Sequence, residues 1–336
     1  MDITVVAAAR EDASPLDEPL RVARQADRLG YPEVWLGEGP TWDAFVLAAA
    51  VGAGTRRIAL TAGPVAVSVR DPHGIARGAA SVAAVSGRPV GVALGTSSKR
   101  VVEGVHGRAR ERPAAVLEAT AAALRELLHG APGEPVVPGS VFPRRHRPPG
   151  GPLTVAAFGD RAISVAARYA DRMLLDVVSP EQVRALRAKL LAASGEAGRT
   201  PPTLSAWVPA AVDPDPASLT QVMRSVVGYL TVPGYREITQ VMRSVVGYLT
   251  VPGYREMFEA AGFGEAVALA RDGADAGALL RALPEEAAAT VGLVGDPATV
   301  RARMDAYAEA GLDEIALVPA TAGDPGGERT LTALAV

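Results

Sequence analysis

Residues 57–95 read RIALTAGPVAVSVRDPHGIARGAASVAAVSGRPVGVALG. The apolar run Arg57–Val69 predicts a strand, which a Gly-Pro pair interrupts. The Ala-rich segment Pro72–Val85 predicts a helix, and Pro89–Gly95 predicts a further strand. Two strands joined by a helix in this order favour parallel pairing across a right-handed crossover.

The same alternation continues on both sides of this stretch. No glycine-rich dinucleotide fingerprint follows the first predicted strand, where Ala7–Glu11 stands instead. Eight near-continuous apolar strands with helical crossovers favour an α/β fold of the (β/α)8 TIM-barrel type, with an open doubly wound sheet as the alternative. The eight predicted strands are Ile3–Ala9, Glu33–Gly37, Arg57–Val69, Pro89–Gly95, Leu153–Ala157, Met173–Val177, Thr203–Val212 and Glu314–Pro319.

Composition excludes several classes of function. The chain has 336 residues, of which 49% are hydrophobic, so we expect a single domain over residues 1–336. A net charge of -3 offers no excess of positive charge for nucleic acid or anionic lipid. The chain has no cysteine, its four histidines show no metal-binding spacing, and no apolar run is long enough to span a membrane. We therefore expect a cytoplasmic enzyme that has no metal site and acts on a small-molecule substrate, and we allow for a homodimer.

Two segments interrupt the alternation. Residues 130–151 are rich in Pro, Gly and Arg, which predicts a surface insertion. Residues 216–290 predict a helical excursion between the seventh and eighth strands. Within the excursion, the 18 residues TQVMRSVVGYLTVPGYRE occur twice, at 220–237 and 239–256. We expect both copies to lie on the surface, where an added segment is tolerated.

In a TIM barrel the functional site lies at the carboxyl ends of the strands. After the second predicted strand, Glu38 is a candidate hydrogen-bond acceptor or base, and Trp42 is a candidate wall for a planar ligand. The alternative is that Glu38 lies in a solvated turn and that Trp42 belongs to the core. After the third strand, Thr61–Pro64 predicts either a bulge that admits a flat ring or a plain kink.

Two further loops have groups that suit a phosphate. Gly95–Arg100 offers hydroxyls, backbone N–H groups and two cations. Phe158–Arg161 opens a helix, where free N–H groups and the helix dipole favour an anion. Near the first of these loops, His106 follows Glu103 and is either a substrate ligand or a surface histidine.

Five segments in the same order resemble the bacterial luciferase-like flavin and deazaflavin oxidoreductases. The two motifs Gly37–Asp43 and Leu94–Ser98, taken together, are most similar to those of actinobacterial members that depend on coenzyme F420, a 5-deazaflavin hydride carrier. The five segments are Gly30–Glu38, Val69–Pro72, Ser86–Gly95, Val294–Val300 and Tyr307–Asp313.

The resemblance implies a TIM barrel whose cofactor lies across the carboxyl ends of the strands. It implies a non-proline cis peptide at the third strand, which corresponds to Ala62–Gly63, and cofactor phosphate at Thr96–Ser98 and Gly159–Arg161. Together with the reasoning from the residues themselves, this gives a predicted cofactor site of Trp42, Ala62, Gly63, Gly95, Thr96, Ser97, Ser98, Phe158, Gly159, Asp160 and Arg161.

One departure from the family pattern concerns proton transfer. Sugar-phosphate dehydrogenases of this superfamily carry a histidine and a glutamate where Gly39 and Ser98 stand here. An acid or base would therefore have to be Glu38, Glu103 or His106. The sequence predicts an F420-dependent oxidoreductase that acts on a small organic substrate. The alternatives are an FMNH2-dependent monooxygenase that uses O2 and a non-catalytic cofactor-binding barrel.

Overall fold

The computed structural model describes residues 1–9, 15–39, 42–135, 139–230, 263–272, 274, 276–283 and 287–335. Its strands form one parallel sheet in the order β6-β5-β4-β3-β2-β1-β9-β7-β8, in which β6 also pairs with β7. The strands are β1 Asp2–Val6, β2 Glu33–Leu36, β3 Ala59–Ala66, β4 Val90–Gly95, β5 Gly150–Ala156, β6 Arg172–Asp176, β7 Thr203–Val212, β8 Leu293–Gly295 and β9 Glu314–Pro319.

The pairings of β9 with β1 and β7, and of β6 with β7, close eight of these strands into a barrel. The predicted TIM barrel is thereby confirmed, and each of the eight predicted strands is present. The sequence did not predict β8, which among the described strands pairs with β7 alone, in the register Ala210↔Leu293. A strand of three residues is too short to show an alternating apolar pattern.

Helices surround the barrel, and several begin at a residue that caps them. Asp71, which precedes Pro72 in the sequence, accepts a hydrogen bond from the N–H of Gly74 at 2.8 Å and so caps α3. Among the described helices, none is long and apolar enough to cross a bilayer. The helices are α1 Glu18–Leu29, α2 Ala44–Gly54, α3 Pro72–Ser86, the π-helix Arg100–Val105, α4 Pro113–Leu127, α5 Asp160–Tyr169, α6 Pro180–Glu196, α7 Pro216–Leu230, α8 Gly264–Asp272, α9 Ala276–Ala282, α10 Ala287–Val291, α11 Pro297–Glu309, the 3₁₀ helix Pro325–Gly327 and α12 Glu328–Leu334.

The strand β5 includes the last two residues of the predicted insertion. Gly150 and Gly151 belong to β5, although the predicted insertion extends to residue 151. Gly150 pairs with Val90 of β4, and a Cβ on Gly151 would lie 2.2 Å from the backbone of Val90. Gly151 therefore lets β4 and β5 approach closely. Glycine inside a strand can mark such an approach, and the prediction treated it only as a strand breaker.

The first copy of the duplicated tract begins inside α7. Its Val222 and Val226 are fully buried, so the predicted surface position is wrong for these residues. The Oε1 atom of Gln221 accepts a hydrogen bond from the N–H of Ala322 at 2.8 Å, which ties α7 to the segment after β9. The second copy, residues 239–256, lies outside the described residues.

Inside the barrel, at the amino ends of the strands, lies a layer of hydrogen-bonded polar side chains that we call the barrel floor. Arg172 is its centre and forms ion pairs of 2.8 Å with Glu33 and Glu314. The next layer along the strands is apolar and includes Trp35, whose ring lies 4.0 Å from the Arg172 guanidinium. The barrel floor comprises Thr4, Glu33, Thr61, Thr154, Arg172, Ser205 and Glu314.

Candidate functional site

The opposite end of the barrel, which we call the barrel mouth, is formed by the loops that follow β2, β3, β4 and β5, residues 37–39, 67–71, 96–99 and 157–159. These four strands are neighbours in the sheet, so their following loops share one rim. The predicted phosphate loops after β4 and β5 are adjacent, because β4 pairs with β5 in parallel. Among the described residues, no group of three or more His, Asp or Glu side chains is placed to hold a metal ion.

An aromatic pair lies inside the barrel, and one of its rings reaches the first residue of the loop after β2. Trp35 and Trp207 pack edge to face with their ring centroids 5.9 Å apart. A Cβ on Gly37 would lie 3.5 Å from the Trp207 ring, so the ring occupies the place beside this glycine. The Nε1 atom of Trp207 is shielded from water and has no hydrogen-bond partner within the described part of the chain. Sequence reasoning missed Trp207, because its partners lie on other strands.

The third strand contains the predicted bulge. The pairing of β3 with β4 shifts register between Ala62 and Val65. Gly63 has φ of +117°, and a Cβ there would lie 2.4 Å from the carbonyl oxygen of Ala93, so glycine is required at this position. The main chain of β4 thus approaches β3 closely beneath the mouth.

One prediction about this strand is wrong, and the contact that another predicted residue can make is limited to the backbone. The cis peptide bond is Gly63–Pro64, not Ala62–Gly63, in keeping with the much smaller cost of the cis form before proline. The Ala62 side chain is fully buried in the core between the barrel and its helices, because side chains alternate along a strand and Thr61 points inward to Arg172. Only the backbone of Ala62 is left to face a ligand.

The loop after β4 is held by an arginine that the sequence did not single out. Arg110 donates hydrogen bonds to the carbonyl oxygens of Thr96 and Ser97 at 3.3 and 2.9 Å and to the Thr96 hydroxyl at 3.3 Å. Burial lowers the pKa of Arg110, although Glu103 opposes this effect. The Ser98 hydroxyl accepts the N–H of Val101 at 3.3 Å. Carbonyl groups in this loop therefore turn toward Arg110.

The loop after β5 presents the start of a helix. Gly159 is the N-cap residue of α5 and has no side chain to accept the N–H groups of the first turn. The carboxylate of Asp160 is exposed and accepts a hydrogen bond from Lys189 of α6 at 2.8 Å. Phe158 is half-buried and packs against two core clusters. Backbone N–H groups, with the exposed Arg161 beside them, are thus the donors that this loop offers.

One arginine binds both carboxylate oxygens of Glu38 at the mouth. Arg70 donates hydrogen bonds from Nε to Glu38 Oε1 at 3.1 Å and from a terminal nitrogen to Glu38 Oε2 at 2.5 Å. The same nitrogen reaches Asp43 at 2.7 Å. The hydrogen bond to Glu38, joined by that to Asp43, raises the pKa of Arg70 although burial opposes it. Both oxygens of Glu38 are therefore occupied, which sequence spacing could not show because Arg70 is 32 residues away.

Trp42 lies just before α2, not inside it. The helix begins at Ala44 because Asp43 accepts hydrogen bonds from the N–H groups of Phe45 and Val46 at 2.9 and 3.0 Å. Burial raises the pKa of Asp43, but the hydrogen bonds from Arg70 and from these two N–H groups outweigh it, so that its pKa is below the ordinary value. Trp42 is half-buried and packs against the main core, which agrees with the alternative interpretation of this residue.

Glu103 and His106 lie in and just after the π-helix, where the sequence predicted only a loop. Glu103 accepts the N–H of Arg110 at 3.3 Å and lies 3.7 Å from Lys99. The N–H of His106 donates to the carbonyl oxygen of Val101 at 3.2 Å, and its side chain is exposed. Glu103 thus contacts the residues that support the loop after β4, whereas His106 is on the outer side.

Comparisons with known proteins give the same fold. The family model of the luciferase-like monooxygenases matches residues 1–314. No curated protein sequence matches the chain. The coenzyme F420-dependent tetrahydromethanopterin reductase from Methanopyrus kandleri has a TM-score of 0.78 and 17% identity, over 100% of this chain and 99% of that chain.

Two further solved structures cover the whole chain. An F420-dependent secondary alcohol dehydrogenase, in complex with an F420-acetone adduct, has a TM-score of 0.71 and 16% identity, over 98% of its own length. The oxygenating constituent of 3,6-diketocamphane monooxygenase from Pseudomonas putida, in complex with FMN, has a TM-score of 0.65 and 15% identity, over 97% of its length. At these identities the likeness demonstrates a shared fold.

Proposed function

Because this chain belongs to the luciferase-like monooxygenase family, we propose that it is a coenzyme F420-dependent oxidoreductase that acts on a small organic substrate. At the level of the family it is an enzyme of the flavin- and deazaflavin-dependent oxidoreductases. The choice of F420 and of a reductase or dehydrogenase reaction is the finer part of the proposal. When bound, the deazaflavin would supply hydride transfer, and the protein would supply orientation and a site shielded from water.

The observation that carries the proposal is the pair of adjacent loops after β4 and β5. The N-terminus of α5 begins at Gly159, where main-chain N–H groups and the helix dipole suit a phosphate. Thr96 and Ser97 lie in the neighbouring loop, which Arg110 holds in place through hydrogen bonds to the Thr96 hydroxyl and the Ser97 carbonyl oxygen. Both cofactors of the family carry a phosphate, so these residues fit the group that we propose for them.

The centre of the mouth fits a flat ring. Gly37 lies beside the Trp207 ring, and Gly63 lets the strands β3 and β4 approach closely beneath the mouth. An indole edge and main chain without side chains give a flat, mostly apolar surface, which is what a ring system of three fused rings requires.

The role that we propose for Glu38 is positioning. Its carboxylate is bound at both oxygens by Arg70, and Arg70 in turn binds Asp43 at the start of α2. This cluster joins the loop after β2 to the loop after β3, and so fixes the rim on one side of the ring. Glu103 and His106 remain predictions as proton-transfer groups, and so does a homodimer as the assembly.

Two lines of support favour F420 over FMN. The two motifs Gly37–Asp43 and Leu94–Ser98 together resemble those of F420-dependent members of the family. The two structures with TM-scores of 0.78 and 0.71 are both described as F420-dependent. An FMNH2-dependent monooxygenase is the second candidate, because the FMN-bound camphane monooxygenase constituent and an EDTA monooxygenase from Chelativorans sp. BNC1 share the fold.

A side-by-side fluorescence titration of the purified chain with F420 and with FMN tests the proposal. We expect saturable binding of F420 in the micromolar range and weaker binding of FMN. Tighter binding of FMN, together with substrate-dependent consumption of O2 when FMN is reduced, would replace the proposal with the monooxygenase. Failure to bind either cofactor would favour a catalytically silent structural barrel, an alternative suggested by Gly39 and Ser98, which stand where related dehydrogenases have their proton-transfer pair.

A further inference from the structure

A cavity of about 500 Å³, which we call the outer cavity, lies outside the barrel between α3 and residues 139–149. This volume is within the range of about 300–1,000 Å³ that small-molecule sites occupy. Among the described residues, those that line it include none of the barrel mouth. The outer cavity is therefore separate from the proposed cofactor site.

One wall of the outer cavity is a stripe on α3. His73, Ala76, Arg77 and Ala80 have the spacing i, i+3, i+4 and i+7, which places them on one side of the helix. The inward side of α3 is a different stripe that includes the fully buried Ile75. The two alanines on the cavity side have short side chains, and they leave the space that the cavity occupies.

The other wall is the segment 139–149, whose position is fixed by Arg144. The backbone N–H of Arg144 donates to the carbonyl oxygen of Glu134 at 2.8 Å, and its guanidinium donates to the carbonyl oxygen of Leu127, at the end of α4, at 2.6 Å. This guanidinium is thus part of the wall. Phe142 is 73% exposed and lines the cavity together with three prolines of the same segment.

The charge of the lining is all of one sign. Arg77, Arg145 and Arg147 line the outer cavity, and within the described part of the chain none of them forms an ion pair. No Asp or Glu is among the described residues that line it. The Nδ1 atom of His73 is shielded from water and has no hydrogen-bond partner among the described residues. The lining therefore combines unused cationic donors with aliphatic and aromatic surface.

We propose that the outer cavity binds an amphiphilic organic anion, which has a carboxylate or phosphate head group on an aromatic or aliphatic body. Guanidinium groups bind both head groups through paired N–H donors, and Phe142 with Ala76 and Ala80 gives the body an apolar surface. A ligand in the outer cavity does not compete directly with the proposed cofactor, because the lining shares no described residue with the barrel mouth.

Isothermal titration of the full chain with naphthoate, naphthyl phosphate and the neutral naphthamide tests the proposal. We expect at least one anion to bind with a Kd below about 1 mM and the amide to bind at least about tenfold more weakly. The anion that binds more tightly identifies the head group. Equal affinity for the amide and both anions, or no measurable binding of either anion, would overturn the proposal.

Variants place the binding in the outer cavity. The double variant Arg77→Gln with Arg147→Gln should weaken anion binding at least about tenfold, because charge-assisted hydrogen bonds are lost. Ala80→Leu keeps every charge but narrows the outer cavity on its α3 side, and should weaken binding. The control Arg56→Gln removes an exposed arginine outside the lining and should leave the affinity unchanged. Wild-type affinity in a folded double variant and in folded Ala80→Leu, with folding checked by melting curves, would refute the site.

Discussion

At the amino ends of the strands, Arg172 donates hydrogen bonds to Glu33, Glu314 and two threonines, so its charge is matched inside the barrel. At the carboxyl ends, by contrast, the first N–H groups of α5 and the Nε1 atom of Trp207 have no side-chain acceptor among the described residues. The barrel floor is complete without a ligand, whereas the barrel mouth is not. This division matches the general rule that the amino ends of a TIM barrel serve stability and the carboxyl ends serve function.

Breaking the barrel floor should have the largest effect on stability. Burial lowers the pKa of Arg172, but its carboxylate partners outweigh this and raise it, so the guanidinium stays charged. Arg172→Met would leave Glu33 and Glu314 buried without their partner, which lowers the free energy of unfolding by about 3–5 kcal/mol. We expect the melting temperature to fall by about 6–15 °C.

The matched control for this variant is Arg168→Met. Arg168 forms an ion pair of 2.7 Å with Glu118, in which both side chains are about 40% exposed. An exposed pair contributes only about 0–1 kcal/mol, so the control should melt within about 3 °C of the wild type. Equal shifts for the two variants would contradict the structural role of the barrel floor.

The second prediction compares two glycines that both have positive φ. Gly63→Ala, beneath the mouth, would place a Cβ 2.4 Å from the Ala93 carbonyl oxygen at φ of +117°. Backbone strain of this kind costs about 1–3 kcal/mol, and the clash adds to it. Gly87→Ala, at the end of α3, has φ of +67° and nothing within 4 Å of the new Cβ, so about 1–2 kcal/mol is expected. Thermal melting of both variants measures the difference, and a smaller loss for Gly63→Ala would show that the close approach does not exist.

Glu38→Gln separates positioning from proton transfer at the mouth. The substitution removes the charge that Arg70 binds, so we expect the free energy of unfolding to fall by about 1–2 kcal/mol. Turnover should fall less than about tenfold, because a positioning residue transfers no proton and the amide oxygen can still accept one of the two hydrogen bonds from Arg70. A general base would instead show a loss of about 100-fold or more in turnover at unchanged stability. Glu118→Gln, an exposed carboxylate on α4, serves as the control.

We expect the smallest change in stability from shortening the duplicated tract. Deleting residues 220–238 brings an identical copy of 18 residues next to Leu219, so the contacts of Gln221, Val222 and Val226 can be made again by the same residue types. Halving the length of such a segment changes the closure free energy by only about 0.6 kcal/mol. We expect the melting temperature to change by about 2 °C or less.

Deletion of residues 239–257 provides the internal check. Its product differs from the first deletion only in having Ile instead of Met at the junction with Phe258, so both should melt alike. Loss of the folded state in both deletion variants would mean that the two copies have separate structural roles.

Local features of the sequence predict the barrel and the position of its mouth. Eight strands, the capping role of Asp71, and the helix start at Gly159 all follow from patterns within a few residues. Strand alternation also shows why the side chain of Ala62 cannot face a ligand: its neighbour Thr61 faces Arg172, so the Ala62 side chain faces the helices.

Contacts between distant residues were not predictable in this way. Arg70 reaches Glu38 across 32 residues, and Arg110 reaches Ser97 across 13, through the geometry of neighbouring strands and loops. Trp207 comes to lie beside Gly37 only because the sheet closes on itself. The short strand β8 and the π-helix likewise depend on tertiary pairing more than on a pattern in their own residues.

The most direct test of the incomplete mouth is the affinity of Gly159→Pro for the cofactor. The backbone at Gly159 has φ of −79° and ψ of 154°, which proline can adopt, so the substitution removes one N–H without a forced change of the helix start. We predict that F420 binds about 5- to 150-fold more weakly, the equivalent of about 1–3 kcal/mol for a lost hydrogen bond in a desolvated site, while Gly159→Ala, which keeps the N–H, loses less than about threefold. Wild-type affinity for F420 in a folded Gly159→Pro variant would contradict the account.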